Sequence, residues 1–426
     1  MKIHRNPRDI EKVRRINFYF LSFNVLMYGF GSSMFFIVYI PFLYEFTDSI
    51  FIIGVITTLG SIIQFLIMPW IGKLSDKWGR KLFWYFDTPL MILGLLFFIF
   101  ADNLFIVIAG ALIFYFGLGI GYSIYQVFVM ENSAETKKGF NYGLLGFLMS
   151  VGNIAGSLFV LVNSRFNVRF YFIIFIIEMM IVQIFVIIFV SDPIPRESKK
   201  IISHRKSSKT EKGTWKKMFT TSKTRKIVFY FTLNAFIYSI SISIYTAGIV
   251  NQYNITQQGI AVLSLCSTIS YILFQIPAGH LTDKIGKRKT LIFSELFGLS
   301  FFSLLIISFF LWSSGFEFLI LPLLITGEII WAVNQTTFIP SEVVTTTNLD
   351  ETRRAESYGI LALIRGIGVM PTGIIAGLLI ANVHYIVPFI VTIVGILFKI
   401  WFLLKFFEKD IKEQGRNHEK SCFKKN

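Results

Sequence analysis

Apolar runs of about twenty residues or more, parted by short polar stretches, recur along the whole chain. A helix rises ~1.5 Å per residue, so ~20 apolar residues suffice to cross the hydrocarbon of a bilayer. The pattern predicts helices at 17–43, 50–71, 82–101, 103–130, 140–162, 166–190, 227–250, 256–278, 290–312, 317–342, 357–380 and 383–407. The one long polar interval, 191–226, is basic and lacks spanning capacity. It divides the chain into a six-helix bundle at 1–190 and a second at 227–407, with a tail at 408–426. Within the interval, Trp215, Met218 and Phe219 read either as one side of a short surface helix or as part of a solvated linker. The basic N-terminus followed by an apolar run resembles a signal peptide. That run is too long for one and lacks a small-residue cleavage site, so it reads as a retained first span.

Composition agrees with a polytopic membrane protein. The chain is 54% hydrophobic and 15% charged, with mean hydropathy +0.64, where a soluble domain carries about 25% charge. A formal net charge of +16 raises the question of nucleic acid, but the distribution answers it. Of 41 Lys and Arg, 37 fall in alternate loops and the two tails or within a turn of them; Arg165 and Arg169 lie in or within a turn of another loop, Arg365 and Lys399 deeper in spans. This alternation follows the positive-inside rule, placing both termini in the cytoplasm and requiring an even number of spans. No nucleic-acid partner is expected. Cys266 lies in a span and Cys422 in the tail, so no structural disulfide is expected. The five histidines have no metal-ligand spacing and no P-loop is present, so neither a metal nor a cofactor is expected.

The two halves repeat each other. GKLSDKWGRK at 72–81 returns as GHLTDKIGKRK at 279–289. Glu135-Thr-Lys-Lys with Asn141-Tyr-Gly matches Glu351-Thr-Arg-Arg with Ser357-Tyr-Gly. Asp87 matches Glu295, each six residues after the closing lysine of the first repeat. The twice-occurring charged motif resembles the loop between helices 2 and 3 of the major facilitator superfamily, roughly G-x-L-x-D-[RK]-x-G-R-[RK]. The resemblance covers nearly the whole chain apart from the tails and the central interval. It implies an all-α integral membrane fold of twelve helices in two pseudo-symmetric bundles, working by alternating access. In the fifth span, Gly143, Gly152 and Gly156 match the first three glycines of the family's antiporter signature, but Ser157 stands where its proline would. Close helix packing explains the same glycines. The fourth span has no basic residue where many members carry arginine.

Polar side chains are costly in hydrocarbon and usually face a bundle's interior. Polar residues line one face in four spans: Asn24, Tyr28 and Ser32; Tyr115, Tyr122 and Gln126; Asn234, Tyr238, Ser241 and Tyr245; Glu328, Trp331 and Gln335 with Asn334 adjacent. These are spans 1, 4, 7 and 10, which the resemblance assigns to the central cavity. Asn24, Tyr28, Tyr122, Gln126, Asn234, Tyr238, Trp331, Asn334 and Gln335 are therefore the expected solute-binding residues. Glu328, about 14 residues from the inner end of its span and so ~21 Å deep, is expected either to carry the proton or to pair with Arg365 of the next span, which reaches toward it. Glu178 reads as a structural hydrogen-bonding residue, and Asp87 and Glu295 as inner-interface groups that snorkel or pair with loop basics. By resemblance, Asp76 and Asp283 form an inner gate against helix N-termini, with Arg80 and Arg288 paired to Glu131 and Glu342.

These observations point to a secondary transporter, not an enzyme: a monomer in the cell membrane, in contact with lipid, moving a small organic solute with protons. An efflux antiporter is the nearest alternative. An uncoupled facilitator, a channel or a lipid-flipping protein belongs to a different class.

Overall fold

The computed structural model describes residues 7–78, 80–132, 138–191, 222–347 and 354–406. Among them there is no strand, and twelve helical segments are long and apolar enough to span a membrane. In the first half they are α1 (Pro7–Tyr44), α2 (Ile50–Trp78), α3 (Arg80–Ile99), α4 (Leu104–Asn132), α5 (Lys138–Val162) and α6 (Val168–Phe189). The second half has α7 (Ser222–Tyr253), α8 (Gln257–Ile285), α9 (Lys287–Ser313) and α10 (Ile320–Thr347). Its eleventh span is broken into α11 (Arg354–Val369) and α12 (Thr372–Asn382), and α13 (Val387–Phe406) is the last. The break falls at Met370-Pro371, where proline removes a helix hydrogen bond and clashes with the preceding turn.

Several helices run past the hydrocarbon-length segments that the apolar pattern predicts. In the second copy of the charged repeat, α8 continues through Asp283 to Ile285 and α9 begins at Lys287. Only Gly286 interrupts them, with φ +84°. A Cβ there would meet nothing within 4 Å, so the backbone angle rather than crowding calls for glycine.

The chain packs as two compact units. One holds α1 to α6, residues 243–269 of α7 and α8, and α12. Its core is aromatic: Phe35 of α1 stacks on Phe114 of α4 at 4.4 Å between ring centroids, and Phe98 of α3 lies 5.6 Å from Phe172 of α6. Helices in lipid gain little from hydrophobic transfer and rely on close packing through small residues. On the α1–α5 seam, a Cβ on Gly29 would strike the Met149 carbonyl, one on Gly152 that of Leu26, and one on Gly156 that of Phe30. Ser33 and Ser157 hydrogen-bond across the same seam at 2.9 Å. α6 shows the two-faced pattern of a peripheral span. Tyr171, Phe172, Phe175 and Met179 are buried, while Ile173, Ile177, Ile184 and Ile188 are exposed and suited to lipid.

The other unit holds the start of α7 to Ile242, α8 from Ser270, and α9, α10, α11 and α13. Tyr230, Phe231, Leu291, Phe338, Leu361 and Phe402 form an apolar cluster in it.

Candidate functional site

In the second unit a fully buried ion pair organises the polar residues. Lys399 of α13 lies 2.8 Å from Glu295 of α9, and both side chains are 0% exposed. The same ammonium donates to Asn234 Oδ1 at 2.7 Å and sits 3.7 Å from the centre of the Tyr238 ring. Tyr230 and Tyr238 donate to the two Glu295 oxygens at 2.7 and 2.8 Å. Asn334 donates to Tyr238 Oη at 3.3 Å and to the Ser294 carbonyl at 2.7 Å. Gln335 donates to Asn334 Oδ1, and Trp331 packs edge-on to Tyr238 at 5.5 Å. Removing two charges from water is offset only when geometry and hydrogen bonds are this complete.

Asn234, Tyr238, Trp331, Asn334 and Gln335, expected as solute ligands, thus come together around an internal ammonium. Another residue of the α7 stripe also faces a neighbouring helix: Ser241 bonds the Pro388 carbonyl and Thr392. Glu295 neither snorkels nor meets a loop base. Lys399, not among the expected site residues, is its partner.

Two expected pairings are replaced. Arg365 forms its ion pair with Glu342, not with Glu328. Glu328 is buried on the same helix, 14 residues before Glu342, or about 21 Å along the axis. One guanidinium cannot serve both, and Arg365 lies at the depth of Glu342. Arg288, expected on Glu342, instead donates to the Leu403 and Leu404 carbonyls that α13 leaves open at its end. The side chains of Asp76, Arg80, Gln126, Glu131 and Asp283 lie outside the described residues, as do Trp215, Met218 and Phe219.

The first unit contains a cavity of about 120 Å³ between α1, α3, α4, α5 and α6. Asn24 and Tyr28 line it from α1, Trp84, Asp87 and Thr88 from α3, Gly121, Tyr122 and Tyr125 from α4, and Glu178 from α6. Val25, Met91, Leu118, Met149, Met179 and Val182 complete the wall. Asp87 is 6% exposed, and among the described residues its Oδ1 accepts from the adjacent Thr88 backbone and hydroxyl alone. A Cβ on Gly121 would lie 3.0 Å from Asp87 Oδ2, so that glycine leaves room for the carboxyl. Glu178 is 4% exposed, and its Oε2 has no hydrogen-bond partner among the described residues. The structural hydrogen bond expected of Glu178 is therefore not made at that oxygen, and among the described residues no loop base pairs with Asp87. No lysine, arginine or histidine is among the described lining residues.

The sequence matches the family profile of the Major Facilitator Superfamily over 21–247 and again over 227–422. The chain belongs to the Major Facilitator Superfamily. Solved structures of similar fold include a point mutant of the peptide transporter POT, at TM-score 0.73 and 11% identity, covering 93% of this chain and 97% of that one. A point mutant of the nucleoside transporter NupG follows at TM-score 0.67 and 14% identity, covering 94% and 100%. The human organic anion transporter MFSD10 (TETRAN) gives TM-score 0.63 and 12% identity, covering 94% and 100%. No curated protein matches the sequence. Identities this low establish the superfamily fold, and the three proteins' differing cargoes leave substrate to the site residues. As a superfamily member the chain is a multi-pass membrane protein and a secondary transporter of some solute.

Proposed function

We propose that the chain is a proton-coupled secondary active transporter of a small organic solute, working by alternating access. It acts in the cell membrane as a monomer with both termini in the cytoplasm, and is neither an enzyme nor dependent on a cofactor. One observation supports proton coupling above the rest. Of the carboxyls buried in the spans, Glu295 is neutralised by Lys399 and Glu342 by Arg365, whereas Asp87 and Glu178 share a cavity with no basic residue described beside them. A carboxyl without a fixed counter-cation must take a proton or another cation to sit in hydrocarbon. Glu328 of α10 remains the second candidate carrier, because it too is buried deep in a span.

The test is purified protein in sealed vesicles, with solutes chosen by a thermal-shift screen, since a bound solute stabilises the folded state by mass action. The expected result is saturable uptake, counterflow of preloaded solute, and accumulation driven by an imposed pH gradient. An unsaturable ion current would make the protein a channel. Saturable uptake indifferent to the gradient would make it a facilitator.

A further inference from the structure

The geometry points to the cavity of the first unit as a binding site for a small organic ammonium cation. This rests on reading the chain as a solute transporter and names the class of solute.

The second half supplies the template. There an ammonium, that of Lys399, is held by a carboxylate (Glu295), an asparagine oxygen (Asn234) and a tyrosine ring face (Tyr238). Asn234 and Tyr238 are four residues apart on the first helix of their half, and Glu295 lies on the third. The first half carries the same set in the same places. Asn24 and Tyr28 are four residues apart on α1, and Asp87, the repeat-related counterpart of Glu295, lies on α3. All three line the cavity. What differs is the last helix of each half. α13 brings the ammonium of Lys399, while α6 brings a second acid, Glu178. Among the described residues, the first half thus presents the cage without an ammonium of its own.

The walls suit such a guest. Trp84, Tyr122 and Tyr125 add aromatic surface, and ring faces attract quaternary ammonium ions within ~6 Å. Met91, Met149 and Met179 supply polarizable side chains that adjust to shape. The unpartnered Glu178 Oε2 offers an acceptor to a charge entering the cavity. A volume of about 120 Å³ is on the scale of a trimethylammonium compound rather than a peptide. Two carboxyls with no base described beside them oppose an anion, and burial of both disfavours a neutral guest that leaves them unmatched.

The experiment uses full-length protein in a non-ionic maltoside detergent at fixed pH, with choline as probe and 3,3-dimethylbutan-1-ol as its uncharged isostere. The expected result is a saturable rise in melting temperature with choline and none with the alcohol. Glu178→Gln and Asp87→Asn should each weaken choline at least tenfold. Tyr28→Phe, which keeps the ring face, should bind choline as the parent does, and Tyr28→Leu should not. Equal shifts from choline and the alcohol would overturn the proposal, as would parental choline affinity in a folded Glu178→Gln variant. Counterflow of other solutes with no choline shift would sink the cation reading and leave the transporter standing. Choline binding without transport of any solute would do the reverse.

Discussion

At the scale of single residues, two carboxyls related by the internal repeat have opposite surroundings. Glu295 is enclosed with Lys399 in a complete hydrogen-bond network, while Asp87 faces a cavity. Removing one member of a buried pair leaves an uncompensated charge and costs about 3–5 kcal/mol. Lys399→Met should therefore lower the melting temperature sharply, and Lys399→Met/Glu295→Gln should regain most of the loss. Thermal unfolding of the parent, the single and the double variant in detergent checks this; a double variant no more stable than the single one would mean the pair is not coupled. The polar stripes on spans 1, 4, 7 and 10 are legible in the sequence because helical spacing alone reveals them. The role of Lys399 is not, because its partner lies on a helix remote in sequence and nothing local marks the pairing. Helix adjacency points Arg365 toward Glu328, and only its depth in the bundle selects Glu342.

At the scale of helices, apolar length is enough to find all twelve spans, since length in hydrocarbon is a one-dimensional property. It does not reveal the break at Met370-Pro371, nor that the charged repeat is mostly helical and turns at one residue in its second copy. In the fifth span, Gly152 and Gly156 bring α5 against the backbone of α1. Gly152→Leu should force the seam apart and cost about 1–3 kcal/mol, the usual range for overpacking. Gly146, on the same helix, has nothing within 4 Å of where a Cβ would stand, so Gly146→Ala should be neutral or slightly stabilising. Melting temperatures of the two variants separate these outcomes; comparable losses would remove the α1–α5 contact as the reason for Gly152.

At the scale of the whole molecule, the repeat makes the two related halves readable, and the family profile and solved folds agree with twelve helices of superfamily type. The proposed orientation follows from the 37 basic residues placed in alternate loops and tails. Cysteines introduced at Arg5, Ser207 and Gln414 should resist an impermeant thiol reagent applied outside sealed cells; labelling of any one would overturn the assigned topology. The central claim is that the carboxyl site of the first half, with no base described beside it, couples solute to protons. It is tested most directly by recording solute-evoked proton movement across vesicles holding the parent, Glu178→Gln or Glu328→Gln. Glu178→Gln should abolish proton movement and gradient-driven accumulation yet keep exchange of preloaded solute at saturating concentration, while Glu328→Gln retains coupling. Parental proton movement in Glu178→Gln, with its loss in Glu328→Gln, would contradict it and move the coupling site to α10.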